Sequence, residues 1–432
     1  MNESPARLPY RMLAAVAVAT AVCHFVFGLL YATRWAPLPR TSASLAGEAY
    51  LKTFTAWDTE QEVDSAGYNR GAITAMRDGV PRTRSGTVFF RAAVYAYFLA
   101  GCYAIGGVRL LPVALAQAAL SGLTCWFVGL AAGRIAREHK GRAMLLAGAL
   151  VLFNPRLAMY AGYVYPTMLL MCLLAIALWT ATQPVTLTRA VVIASALILG
   201  AFAQGAFFIV ALAAGGWFVI EFVRRKNRAA LVGAALIAAA VAGKFLLTWT
   251  AVAGAQDDYW RECDRGGTFW IANNPYYESM TLWSQWEDRP GNPRTTWRRS
   301  ELEQTRYDRY LEGAGGDRLK ATFAWIGENP RQYLKLVLIR LRTELGPFTG
   351  QMSPRNRVVS ALVWLVIFPA GFFGLWKYQA APGVLLAGLV VVAVIVFDSL
   401  VIVDWYLRYR LPADLALTVC AALTYASFFR KR

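Results

Sequence analysis

The chain has 432 residues, 57% hydrophobic and 16% charged, which is too apolar and too sparsely charged for a water-soluble protein of this length. Its formal charge of +18 has the sign of a nucleic-acid binder. The apolar runs argue otherwise, and basic helix ends on the cytoplasmic side, facing anionic lipid, account for that sign. The six cysteines have no CxxC spacing and only Cys263 sits in a clearly polar loop, so neither a disulfide framework nor a zinc site is inferred; two histidines, His24 and His139, argue against a His-based metal site or a Ser-His-Asp triad.

A short basic stretch leads into Met12–Thr33, an apolar run of spanning length. It lacks a small-residue cleavage site and reads as an uncleaved anchor, with Arg7 and Arg11 placing its start inside. Arg34–Gly107 follows as a long outer loop. Within it, Trp57–Tyr68 carries acidic residues at every second position from Asp58 to Asp64. In a strand, all four carboxylates share one face. In a helix only Glu60 with Asp64, and Asp58 with Glu62, do so. The stretch reads either as a solvated acidic loop or as a chemical centre held at the outer membrane surface. Val88–Gly107 is apolar again. It is expected to lie along the outer surface, because a crossing there would put the basic segment Arg134–Arg142 outside.

The remaining expected spans are Val108–Gly133, Ala143–Tyr160 with Asn154-Pro155-Arg156 near its outer end, Tyr163–Thr182, Arg189–Ala203, Gly205–Val223 and Ala229–Thr250. A polar, aromatic stretch, residues 251–357, is long enough for a helical subdomain on the outer face. Val358–Trp376, Pro382–Val403 and Leu411–Phe429 complete ten spans. The expected fold is an all-α polytopic membrane bundle of about ten transmembrane helices, with juxtamembrane helices in two large outer loops and both termini cytoplasmic. It divides into a transmembrane module over 1–250 that includes the first outer loop 34–107, an outer-face subdomain over 251–357, and C-terminal membrane helices over 358–432.

Charge at the outer end of a membrane helix is costly unless it has a job. Arg408 and Arg410, in the turn Asp404–Pro412, need an anionic partner there: lipid headgroups, protein carboxylates or a bound phosphate, whose oxygens a guanidinium fork matches. Snorkelling to the interface fits the same motif. Lys244, late in an outward-going span, either snorkels or meets a lipid phosphate. In the second outer loop, Gly266–Pro275 ends in a turn signal. Asn273 and Asn274 can offer amides to a sugar there, or form a plain loop turn. Ala321–Leu345, broken at Asn329-Pro330 and carrying Lys335, Arg340 and Arg342, reads as an amphipathic region against the membrane surface.

Three separated pieces, in order, resemble the GT-C superfamily of integral-membrane glycosyltransferases, in the branch of the protein O-mannosyltransferases and lipid A aminoarabinose transferases. Asp64-Ser65-Ala66-Gly67-Tyr68, followed by Gly79 and Phe89–Gly107, is similar to the family's first-loop pattern and its following juxtamembrane helix. Gly267–Pro275 with Asn329-Pro330-x-x-Tyr333-Leu334 resembles a pattern of bacterial members. Arg408-Tyr409-Arg410-Leu411-Pro412 resembles the opening of their last helix. The chain departs from the family where Ser65 replaces an acidic neighbour, and where Tyr165-Pro166-Thr167 stands in place of a frequent Asp or Glu.

The resemblance implies a bacterial inner-membrane enzyme whose site faces the periplasm. It would transfer a sugar from a polyprenyl-phosphate donor to an acceptor on a lipid, glycan or protein, with no nucleic acid involved. Asp64 is the implied base; the second carboxylate is missing from its usual place, so either Glu60 or Glu62 substitutes for it or the mechanism needs only one, and Tyr68 and Tyr409 lie in the motifs that meet substrate. An acceptor hydroxyl must lose a proton as it attacks, which a positioned carboxylate accepts. The departing phosphate needs charge stabilisation, for which Arg408 and Arg410 come first and Lys244 and Arg156 next. A single base attacking from the far side predicts inversion. No cofactor is implied, and a divalent cation on Asp58, Glu60, Glu62 and Asp64 stays open. A transporter or flippase of lipid-linked sugars shares the outer arginines, and a noncatalytic envelope-assembly scaffold is compatible with the losses at Ser65 and Thr167; two large outer loops with surface acids favour the enzyme over the transporter.

Overall fold

The computed structural model describes residues 8–30, 64–82, 86, 88, 92–251, 269, 272–273, 309–347, 354–401 and 407–428. Among them there is no strand, only an isolated bridge between Arg82 and Val88. The helices in chain order are α1 (Leu8–Leu30), α2 (Asp64–Asp78), α3 (Ala93–Gly106), α4 (Leu110–Ile135), α5 (Lys140–Leu152), α6 (Pro155–Ala161), α7 (Thr167–Ala181), α8 (Leu187–Ala203), α9 (Phe208–Arg225), α10 (Arg228–Ala251), α11 (Arg318–Glu328), α12 (Pro330–Leu345), α13 (Pro354–Lys377), α14 (Pro382–Val401) and α15 (Leu407–Phe428).

Each expected span but Ala143–Tyr160 is occupied by one helix. Among the described residues seven are long and apolar enough to cross a membrane, and α5 with α6 makes an eighth if the two form one span. The chain is a polytopic membrane protein. α7 and α8 are apolar but shorter, at 15 and 17 residues. α3 has 14 residues and so reaches only about 21 Å, less than the ~30 Å of a hydrocarbon layer.

The expected single span Ala143–Tyr160 is instead two helices, α5 and α6, bent by 59°. Pro155 has no N–H to continue the ladder and its ring crowds the preceding turn. Asn154 then starts the second helix: its side-chain oxygen accepts from the backbone N–H of Arg156 at 3.1 Å and of Leu157 at 3.4 Å, and Pro155 takes the first helical position.

The chain divides into two compact units, one of Met1–Asp257, Val366–Val391 and Pro412–Arg432, the other of Asp258–Leu365 and Val392–Leu411. In the first unit α1 packs on α4, α5 and α6, α4 on α5 and α7, and α8 on α7, α9 and α10. Small residues permit the close approaches. A Cβ on Gly28 of α1 would stand 2.6 Å from the backbone nitrogen of Gly162, so the two backbones are in contact.

His24 ties three elements of this unit together. Its Nε2 lies 3.0 Å from the carbonyl of Leu152 and its Nδ1 2.5 Å from the Ser121 hydroxyl. A carbonyl only accepts, so Nε2 carries the proton and Nδ1 takes the hydroxyl's. In the second unit, α11 and α12 pack together around Ala272, Tyr310, Ala321, Trp325 and Leu336. Tyr310 donates to Glu328 at 2.5 Å, and burial, then that bond, pushes its phenol pKa up.

Candidate functional site

In the first unit Asp64 and Tyr68 lie on α2. Asp64 is its first residue. Tyr68, one turn on, is buried, and its ring meets two others edge-on, Tyr95 of α3 at 5.2 Å and Tyr165 at 6.2 Å. Tyr165 in turn stands 6.1 Å from Tyr163 and 6.3 Å from Tyr160. Asn69 accepts from the Tyr103 hydroxyl at 2.8 Å, which joins α2 to α3.

The loop carrying Tyr163 and Tyr165 is held from α4. Gln117, fully buried, donates to the Tyr163 carbonyl at 2.6 Å and the Ala161 carbonyl at 3.4 Å. The Tyr95 hydroxyl reaches the same amide at 3.4 Å. Sequence reasoning passed over Gln117, Tyr95 and Tyr160. It named Tyr165 only as the place of a missing acid. A glutamine inside an apolar run, such as Gln117 in Val108–Gly133, is the one local signal that could have marked it.

Arg156, proposed behind the outer arginines for the phosphate, is buried in this unit and makes an ion pair with Asp414 of α15, Nη1 to Oδ2 at 2.7 Å. A guanidinium and a carboxylate both taken from solvent are tolerable only when so paired. Asp414 went unremarked in the sequence, although a carboxylate within a membrane run is itself a signal. Lys244 is partly exposed; its ammonium donates to the Ala201 carbonyl and lies 5.3 Å from the Phe202 ring. That geometry is internal packing of the cation on the neighbouring helix α8.

The second unit places Asn273, Arg340 and Arg410 in its interior. Asn273 donates to the carbonyls of Phe269 at 3.0 Å and Leu400 at 3.1 Å, and accepts from Arg340 Nη2 at 2.7 Å. Its amide thus ties three segments of the unit. Arg410 Nη1 donates to the carbonyls of Gly346 at 2.7 Å, Glu344 at 3.1 Å and Thr343 at 3.3 Å. These are carbonyls at the end of α12, where helix geometry leaves acceptors over and a cation is favoured. Arg408 is buried beside Tyr409, its Nη2 3.2 Å from that hydroxyl and its guanidinium 5.0 Å from the ring centre. Asp398, a residue the sequence reading missed, is buried in the same unit with Glu344 and Arg410 as its charged neighbours.

Glu60, Glu62 and Asn274 lie outside the described residues, as do Asp58 and Asp404. Among the described residues no three His, Cys, Asp or Glu side chains converge as metal ligands would. The geometry thus brings Tyr68 together with a ring cluster next to Asp64 in the chain, and it engages Arg156, Lys244, Asn273 and Arg410 in contacts within the protein.

No protein-family model matches the sequence, and no curated protein matches it. Solved structures do. Archaeal oligosaccharyltransferase AglB from Archaeoglobus fulgidus, in complex with an inhibitory peptide and a dolichol-phosphate, superposes with a TM-score of 0.52 at 13% identity, over 96% of this chain and 50% of that one. The Archaeoglobus fulgidus oligosaccharyltransferase tethered to an acceptor peptide containing the NVT sequon gives 0.52 at 14% identity, over 96% and 49%. ArnT from Cupriavidus metallidurans bound to undecaprenyl phosphate gives 0.46 at 16% identity, over 88% and 60%. The chain spans about half the length of the two archaeal structures. Over 96% of its length the chain shares the fold of these archaeal membrane oligosaccharyltransferase structures.

Proposed function

We propose that this protein is a membrane glycosyltransferase that moves a sugar from a polyprenyl-phosphate donor to an acceptor hydroxyl on the outer face of a bacterial inner membrane, with both termini cytoplasmic. The observation that carries the reading is the fold shared over 96% of the chain with AglB, whose structure holds a dolichol-phosphate. The position of Asp64 at the head of α2, one turn before the buried Tyr68, supports it.

In the proposed reaction the acceptor oxygen attacks the anomeric carbon as the Asp64 carboxylate takes its proton. The bond from the anomeric carbon to the phosphate oxygen breaks, and its electron pair leaves on the lipid phosphate. One base and one displacement give inversion. The departing charge calls for a cation. Arg408 and Arg410 are the first candidates for that role, with Lys244 and Arg156 next.

The test follows release of lipid phosphate by the detergent-purified protein from farnesyl-phosphate sugars, with candidate acceptors supplied. Asp64→Asn is expected to lower release by about 10²–10⁴-fold, the usual worth of a positioned base. Release untouched by the substitution removes Asp64 from the role. Binding without any release favours carriage of lipid-linked sugars instead, a reading to which the broken pair α5/α6 lends its one structural argument.

A further inference from the structure

The tyrosine cluster has a build that ordinary aromatic packing does not need. Its inner members are sealed: Tyr95 is 0% exposed, Tyr68 3% and Tyr160 8%. Its outer members, Tyr163 and Tyr165, are partly exposed. The loop bearing those two is pinned by Gln117, a fully buried amide spent on the carbonyls of Tyr163 and Ala161. Burying an amide in an apolar helix is worthwhile only where its bonds fix something in place. What they fix is a pair of rings 6.1 Å apart at an angle of 61°, resting on Tyr68 and Tyr160.

A sugar has one face of C–H bonds and an edge of hydroxyls. Aromatic faces take the first and phenol oxygens the second, and a few polar groups among rings is the usual lining of a small-molecule site. The rings belong to the loop between α6, which with α5 forms a bent candidate span, and α7, a shorter apolar helix. Asp64 stands one turn of α2 from Tyr68, about 6 Å along the axis.

We propose that Tyr163 and Tyr165 form a sugar subsite that stacks the neutral ring of the lipid-linked donor. The proposal rests on the glycosyltransferase reading above and names the subsite within it. It makes Tyr165 a substrate-binding residue at the very position where the sequence otherwise shows only a missing carboxylate.

The test is equilibrium binding to the full-length protein in detergent. The probes are farnesyl-phosphate mannose, farnesyl-phosphate N-acetylglucosamine and farnesyl-phosphate arabinose, each compared with sugar-free farnesyl phosphate. For whichever sugar lipids the wild type binds, Tyr165→Ala is expected to weaken them by about tenfold and to leave farnesyl phosphate within about twofold. Tyr165→Phe keeps the ring and is expected to keep most of the affinity. Thermal unfolding checks that each variant is folded, and Tyr163→Ala carries the same test if Tyr165→Ala is not. Equal weakening of sugar-bearing and sugar-free lipids, or no change in either, overturns the subsite and leaves the glycosyltransferase reading standing. A wild type that binds none of the lipids overturns the parent reading and the subsite with it.

Discussion

Arg156 and Arg410 are both buried at the ends of apolar helices, yet the two units answer them differently. The first unit meets its arginine with a side chain, Asp414 at 2.7 Å. The second meets its own with backbone, three carbonyls of the turn that ends α12. A carboxylate carries a full charge and belongs to one residue, so it can be removed along with its partner. Carbonyls belong to every residue, so these three bonds cannot be removed by deleting a side chain, although Asp398 is a charged neighbour of Arg410 as well. The contrast teaches that a buried arginine in a membrane protein is not by itself a sign of a phosphate site, and that the kind of partner decides how replaceable it is.

The largest effect is expected from Arg156→Ala. It leaves Asp414 buried without its counter-charge, a loss of about 3–5 kcal/mol, read as a fall in the thermal midpoint or in the folded yield. The pair Arg156→Met with Asp414→Leu is expected to recover most of that loss, because both buried charges are gone. A double variant as unstable as the sum of its parts would break the comparison.

Arg410→Ala is expected to cost about 1–3 kcal/mol by orphaning buried carbonyls, with Arg410→Lys restoring little, since an ammonium lacks the planar fork. A rescue of Arg410→Ala by Asp398→Asn would show that the carboxylate, not the carbonyls, is the partner that matters. The smallest effect is expected at Lys244. A partly exposed cation with one carbonyl and one ring contact contributes about 1 kcal/mol or less, so Lys244→Met should leave the midpoint almost unmoved. A large fall there would place Lys244 with the two arginines.

Much of this fold was legible in the sequence, because a membrane helix is written as an unbroken apolar run and its ends as prolines or basic residues. Pro330, Pro354 and Pro382 each open a helix. The break at Asn154 was visible as a dipeptide but not as a bend, since a proline near a run's end and one that splits it look alike. Partners were less legible than elements. Asp414 is a charge in an apolar run, but nothing local points 258 positions back to Arg156. The carbonyls that hold Arg410 have no sequence signature at all. The rings at positions 68, 95, 160, 163 and 165 come from several segments, and only folding makes them one cluster. Of the candidate carboxylates, Asp64 is placed as a helix start, and Glu60 and Glu62 fall outside the described residues.

The ion pair between α6 and α15 also sets an order of events during biosynthesis. Arg156 leaves the ribosome 258 residues ahead of Asp414, which at about 5–20 residues per second is a delay of roughly 10–50 s. Until then the carboxylate that accepts from Arg156 does not exist. The early part of the bundle is sealed by one of the last helices to be made, and its closure is an event of assembly in the membrane, separate from the insertion of its own segments.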